Sequence, residues 1–577
     1  MTTPSLDTAR AVLAALVAAG TRHLVVAPGS RSAPLAYAAA AAHAAGTLQV
    51  HVRVDERSAA FTALGIARAT GLPAGVVTTS GTAVGNLLPA VMEADHAEAP
   101  LVVVSADRPP ELRGTGANQT TRQPGIFGDH VRAAVDLVPG DDDGPARLAA
   151  AVAALTGSGG TVPAGPVHLN VALREPLHPG PEDGPVLAAW ARELQTSPSR
   201  LPAGGPGPRR VAAGGVPEPA PGAEEARAVV VAGDAAGPDA ARFAEAFGLP
   251  LLAEPSSNAR SGPNAPAAYR LLLGTALGRE VERVLLVGRP TLSRPVAALL
   301  ARPDVATAAV RPGPVAWYEP GRRRERVLAD WAAAAAFTGR GAPGWLAAWQ
   351  EAGAAADAAV ARALATAPLT GPAVAAQVWE ACRRDGAVLV AGSSNPVRDL
   401  DLAARPAAGS PLVLANRGLA GIDGTVATAA GAALGAGRPV RAFLGDLTFL
   451  HDASSLLLGT GEQEPDLQVV VLNDGGGGIF ATLEHGALGE QDAYRQTVER
   501  FFGTPHTARL AELCAGYGVP HRRAGTAAEL AAALAGPVRG RSVVEVPVDR
   551  AALRPLHARL RALVAGAVAE AVPGAEA

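Results

Sequence analysis

Short apolar runs rich in valine alternate along the chain with segments of helical length, and the alternation falls into three blocks. The first carries HLVVAP (23–28), AGVVTT (74–79), PLVVVSA (100–106) and GPVHLNV (165–171). Runs this short and this apolar are strands buried on both faces, as in a parallel sheet covered by helices. Residues 176–226 then turn Pro-, Gly- and Ala-rich, with PAGGPGPRR and GGVPEPAPGAEE, the composition of a solvated connector. A second block opens at ARAVVVAGD (226–234) and runs through LPLLAEP and VERVLLVGRP to VATAAVRPGP. The Ala-rich stretch 330–368 reads as helical and connective. A third block holds AVLVAG (387–392), PLVLAN (411–416), PVRAFLGD (439–446), LQVVVLND (467–474) and RSVVEVPV (541–548). The pattern predicts an α/β protein with three doubly wound parallel-sheet domains in series, at 1–180, 226–350 and 365–577, with a linker at 181–225.

Composition narrows the chemistry. Over 577 residues, 48% hydrophobic and 18% charged side chains suffice for several ordered cores. The chain contains no lysine, so its 50 basic residues are all arginine. That excludes a pyridoxal Schiff base, a class-I aldolase and a Walker A phosphate loop, each of which needs an amine. A net charge of −3 provides no broad positive field for nucleic acid or an anionic bilayer. Two cysteines without metal or redox spacing suit a reducing compartment. No run of eighteen apolar residues predicts a membrane span, and the N-terminus reads as an amphipathic helix, so a cytoplasmic protein is expected.

In open α/β sheets, ligands bind beyond the carboxyl ends of the strands, so candidate chemistry lies just after the apolar runs. APGSRSAPL (27–35) offers Ser30 and Arg31 at a helix start, a suitable anion cradle. DERSAA places Asp55, Glu56 and Arg57 at the start of an amphipathic helix, where an acidic residue alone reads as a complement to the helix dipole. TTSGTAVGNLLPA (78–90) brings Thr79, Ser80 and Gly81 into a tight turn. The long loop ADRPPELRGTGANQTTRQPGIFGDH (106–130) carries Arg108, Arg113, Asn118, Gln119 and Arg122, planar donors that suit carboxylates. GDLTFLHD (445–452) and VVVLNDGGGGIF (469–480) each close a Val-rich strand, placing Asp446 and Asp474 28 residues apart. Adjacent parallel strands would deliver both carboxylates to one sheet edge, where Mg²⁺ prefers hard oxygen ligands beside a phosphate. The Gly475–Gly478 run permits a close backbone carbonyl ligand.

Taken in order, APGSRS, DERSA, TSGTA, ADRPPEL, GANQT-RQPG, NRG-AGIDG and GD-FLHD resemble the thiamine-diphosphate-dependent enzymes, and within them the branch serving menaquinone biosynthesis. The match runs through the first and third blocks and is weaker in the second. The resemblance implies thiamine diphosphate with Mg²⁺, or Mn²⁺, as cofactors. It implies that Glu56 engages N1′ of the aminopyrimidine and that Ile422 supports the bent cofactor. Asp446, Asp474 and the Gly476 carbonyl would hold the metal, while Thr79, Ser80, Gly81 and Ile479 line the cofactor. Ser30, Arg31, Arg108, Asn118, Gln119, Arg294, Ser394, Arg398, Arg417 and Phe480 would bind substrate. The implied reaction decarboxylates 2-oxoglutarate and adds the product carbanion to isochorismate. A homodimer or dimer of dimers is implied, because in this family the glutamate domain of one subunit faces the diphosphate domain of another. Two positions depart from relatives: Asp474 stands where asparagine is usual, and Ser293-Arg294 stands where some carry Lys-Arg. The rivals are another thiamine enzyme, such as an acetohydroxyacid synthase or an oxo-acid decarboxylase, and a non-catalytic nucleotide-binding α/β protein. The last is disfavoured because AGDAAG (232–237) does not complete GxGxxG.

Overall fold

The computed structural model describes residues 3–157, 162–195, 215–319, 321–365 and 368–572. Among these residues, nineteen strands are distributed over three large parallel sheets and one small one. The first comprises β1 (His23–Val26), β2 (Gln49–Val52), β3 (Ala74–Thr78), β4 (Leu101–Asp107), β5 (Ala133–Leu137) and β6 (Val167–Ala172), in the order β2-β1-β3-β4-β6-β5. β7 (Glu225–Ala226) pairs with β13 (Arg340–Gly341). The middle sheet contains β8 (Ala228–Ala232), β9 (Leu251–Ala253), β10 (Arg283–Val287), β11 (Ala306–Val310) and β12 (Arg326–Leu328), in the order β12-β11-β10-β8-β9. The third contains β14 (Val388–Ala391), β15 (Val413–Leu414), β16 (Val440–Gly445), β17 (Leu467–Asn473), β18 (His521–Arg523) and β19 (Arg541–Pro547), in the order β15-β14-β16-β17-β19-β18. The first and third sheets therefore share one strand order. In each, the order reverses beside the first strand, creating a crevice at the strand ends between β1 and β3 and between β14 and β16.

The central strands are buried along their length, as the Val-rich runs require: β3, β4 and β6 have no exposed residue. Two expectations need correction. The segment 330–368 is not merely connective: Trp345 and Trp349 of the helix Trp345–Ala365 are buried in the core beside the middle sheet. The expected linker at 181–225 begins with a helix, Asp183–Gln195, whose Leu187, Trp190 and Leu194 join the first unit's core. Residues 196–214 of that linker lie outside the described residues.

The first and third units meet through two helices, Glu56–Thr70 and Thr425–Ala436. Small residues let their backbones approach closely. A Cβ on Gly65 would lie 2.1 Å from the Thr428 carbonyl oxygen, and one on Gly431 would lie 2.0 Å from that of Thr62. Side-chain bonds brace the same junction: Ser454 Oγ donates to Asp55 at 2.9 Å, and Arg57 reaches the His451 carbonyl at 3.0 Å.

Candidate active site

The strand ends of the first sheet gather most of the candidates from that unit. Gly29 packs so tightly on Thr79 that a Cβ would overlap its side chain, fixing the Ser30–Arg31 turn beside Thr79. Ser80 is fully buried; its Oγ donates to the Gln119 carbonyl at 2.9 Å, Gln119 Nε2 returns a bond to the Ser80 carbonyl at 2.9 Å, and Arg108 donates to the same hydroxyl. Arg31 donates to the Leu173 carbonyl at 2.9 Å. Gly81 has φ +85°, a left-handed conformation open to glycine, and its N–H donates to Gln123 Oε1 at 3.0 Å. Gln123 was not among the candidates, yet it is fully buried and also bonds Ala106 and Asn170, so it holds the turn to β4 and β6. Ser30 and Asn118 are exposed at the rim.

Glu56 begins its helix, but Asp55 performs the capping, its Oδ1 accepting from the N–H groups of Arg57 and Ser58. The Glu56 carboxylate is half-buried and has no partner among the described residues. The dipole role that an acidic helix start suggests is filled by its neighbour, which leaves Glu56 available for chemistry.

The third sheet places Asp446 and Asp474 at the ends of the adjacent parallel strands β16 and β17. Asp446 accepts from the N–H of Leu447 at 2.6 Å, from that of Gly476 at 3.0 Å and from His506 Nε2 at 3.1 Å. A carboxylate offers about four lone-pair sites, so one stays open. Asp474 Oδ1 is buried without a hydrogen-bond partner. Burial, followed by the Asp446 charge, pushes the Asp474 carboxyl up to about 7. Gly476 has φ +154°, and a Cβ there would strike the Gly503 carbonyl oxygen at 2.2 Å, so only glycine fits this turn. Asp474 with its orphaned oxygen, Asp446 at the end of the adjacent strand and the carbonyl of Gly476, whose N–H binds Asp446, offer an oxygen-only donor set. These residues fit a divalent cation such as Mg²⁺. His506 was missed; it is far in sequence from either aspartate and its role follows from packing alone.

The remaining candidates surround this edge. Ser394 adopts φ +73° and immediately precedes the helix Asn395–Ala403, which carries Arg398. Ile422 is half-buried just before the Thr425 helix. Ile479 and Phe480 open the short helix Ile479–Thr482, with Phe480 against the Phe502 ring at 5.4 Å. Arg417 is buried and bonds Thr291, Arg398 bonds the Leu292 carbonyl, and exposed Arg294 forms a two-pronged pair with Glu484 at 2.6 and 3.1 Å. The middle unit is thus tied to the third. Among the described residues, no hydrogen bond joins the Ser80–Arg108 group to the Asp446–Asp474 group. The chain presents two clusters, one per sheet.

Comparison with known proteins gives this arrangement its family. Residues 6–126 match the thiamine pyrophosphate enzyme N-terminal TPP binding domain, and residues 404–546 the C-terminal TPP binding domain. The chain is 54% identical to the 2-succinyl-5-enolpyruvyl-6-hydroxy-3-cyclohexene-1-carboxylate synthase of Paenarthrobacter aurescens (strain TC1), covering 98% of both chains. It is also 54% identical to the synthase of that name from Arthrobacter sp. (strain FB24), covering 99% of this chain and 94% of the relative. The fold resembles the solved benzoylformate decarboxylase of Polynucleobacter necessarius, with a TM-score of 0.63 and 16% identity over 94% of this chain and 98% of that one. The chain therefore belongs to the 2-succinyl-5-enolpyruvyl-6-hydroxy-3-cyclohexene-1-carboxylate synthase family of thiamine-pyrophosphate-dependent enzymes.

Proposed function

We propose that this enzyme decarboxylates 2-oxoglutarate and adds the resulting four-carbon unit to isochorismate, forming the product for which its relatives are named. The observation that carries the reading is the orphaned Asp474 oxygen beside Asp446 at one sheet edge, within a chain matched end to end by those relatives. Thiamine diphosphate, when bound, supplies the electron sink that lets CO₂ depart.

The chain's residues do the rest. Asp446, Asp474 and the Gly476 carbonyl would hold Mg²⁺, or Mn²⁺, on the diphosphate side of the site. Glu56 would hold a proton at N1′ of the aminopyrimidine, and Ile422 would support the cofactor. Thr79, Ser80, Gly81 and Ile479 line the cofactor. Both substrates are dicarboxylates, and guanidinium forks match carboxylates bidentately. Arg31, Arg108, Arg294, Arg398 and Arg417 supply those forks, with Ser30, Asn118, Gln119, Ser394 and Phe480 shaping the pocket.

Glu56 of one subunit meets the Asp446 edge of another, so the working unit is a homodimer or a dimer of dimers. Support comes from Val54, two residues before Glu56, which is 63% exposed in the single chain, and from Leu419, just before Ile422, at 46%. No helix among the described residues is long and apolar enough to cross a membrane, and we place the enzyme in the cytoplasm.

The test is direct. Protein, Mg²⁺, thiamine diphosphate and 2-oxoglutarate are incubated with and without isochorismate, and CO₂ and adduct mass are followed. An adduct carrying the four-carbon unit, formed only with isochorismate, is expected. CO₂ release with no adduct assigns the chain to a simple decarboxylase and overturns the reading.

A further inference from the structure

Two buried glutamates outside the strand-end clusters each accept two successive backbone N–H groups, Glu254 on one oxygen and Glu93 on both. Glu254 follows β9 and is 2% exposed; its Oε1 accepts the N–H groups of both Thr291 and Leu292 at 2.9 Å. Glu93, on the helix Leu88–His96, is 4% exposed and accepts the N–H groups of Gly418 and Leu419, each at 2.7 Å. One belongs to the middle unit and the other to the first, yet the two gripped dipeptides meet at one residue. Arg417 immediately precedes Gly418, and its side chain donates to Thr291 Oγ1 from Nε and to the Thr291 carbonyl from Nη2, both at 3.0 Å. Arg398 donates from Nη1 to the Leu292 carbonyl at 2.9 Å. Arg289 adds a bond to the Gly418 carbonyl at 2.8 Å.

The Thr291–Leu292 segment is therefore held from both sides, its N–H groups by a carboxylate and its carbonyls by two guanidiniums. The consequence for the arginines is geometric. Each spends part of its planar fork on backbone, which fixes the plane, and among the described residues no other hydrogen bond engages either guanidinium. The opposite edge stays available for a carboxylate. Burying a carboxylate opposes stability unless its hydrogen bonds are well made, and burial does push both glutamates up, Glu254 to about 8. Such a group is a poor means of stabilising a loop. It is a good means of setting a register, because a carboxyl group that accepts two successive N–H groups tolerates one backbone position.

We propose that Glu254 and Glu93 are positioning residues that fix Arg417 and Arg398 for the carboxylates of the dicarboxylate substrates, one clamp reaching in from each of the other two units. The inference rests on the proposed function for the identity of those substrates.

Holoenzyme carrying Glu254→Ala, Glu254→Gln, Glu93→Ala or Glu93→Gln is assayed with 2-oxoglutarate and isochorismate. Each alanine variant is expected to raise KM for at least one substrate by about tenfold or more, with a smaller change in kcat. Each glutamine variant, whose amide oxygen can accept the same N–H groups, is expected to return KM to within about threefold of the parent. A folded alanine variant with both KM values unchanged overturns the proposal, as does a glutamine variant no better than alanine. Should the alanine variants not fold, amide exchange in the parent holoenzyme decides. Slow exchange at Thr291, Leu292, Gly418 and Leu419 is expected, and exchange as fast as in exposed loops overturns it. A parent enzyme that exhibits this protection but forms no adduct refutes the proposed function and leaves the clamps standing.

Discussion

Of the adjacent acids Asp55 and Glu56, only the first points its carboxylate at the helix N–H groups. Glu56→Gln should keep thiamine diphosphate binding nearly intact while lowering turnover by roughly 10² to 10⁴-fold, the usual contribution of a positioned proton-transfer group. Isothermal calorimetry and steady-state rates separate the two effects, and unchanged turnover would remove Glu56 from the mechanism. His168 tests the electrostatics of the first sheet. It is 1% exposed, lies 2.7 Å from Ser105 Oγ and is pushed down to about 4 by burial. Unfolded, it would titrate near 6.5, so below that pH the unfolded chain binds more protons. The stability contributed by neutral His168 is complete above pH 6.5 and is lost as pH falls toward 4. Thermal midpoints of the parent and His168→Gln should differ most at pH 7.5 and converge by pH 4.5; a gap independent of pH would contradict the assignment. At this scale the sequence singles out candidates whose motifs are local, including Glu56, Asp446 and Asp474. It concealed Gln123, His506, Glu93 and Glu254, whose partners lie tens to hundreds of positions away and leave no local signature.

The elements legible from sequence were those whose burial is complete. β3, β4, β6 and β8 are buried on both faces and read as Val-rich, largely apolar runs. β2 (QVHV), β12 (RVL) and β18 (HRR) escaped notice because each is a short edge strand carrying polar or exposed residues. The helix Trp345–Ala365 reads as a connector in sequence because alanine hides its amphipathic face; its tryptophans show which side is core. The junction of the Glu56 and Thr425 helices is the element whose failure should matter most. Gly65→Ala puts a methyl group against the Thr428 carbonyl, an overpacking that costs about 1–3 kcal/mol. A lower thermal midpoint and weaker cofactor affinity are expected, since the same helices carry Glu56 and follow Ile422; an unchanged midpoint would mean that the backbones are not in contact.

For the whole molecule, the repeated strand order of the first and third sheets explains how one chain can serve both ends of an elongated cofactor. Each sheet offers a crevice at its own reversal point, one beside the Ser80 turn and one beside Asp446. The central claim is that these half-sites are completed between subunits, with Glu56 from one chain and the Asp446–Asp474 pair from its partner. Mixing two inactive variants, Glu56→Gln and Asp446→Ala, and allowing subunits to exchange tests this most directly. Random pairing makes half of the dimers hybrid, and each hybrid regains one of its two sites, so about a quarter of parental activity should return. No recovered activity in a preparation shown to contain hybrid dimers would place both groups in a single-chain site and contradict the account.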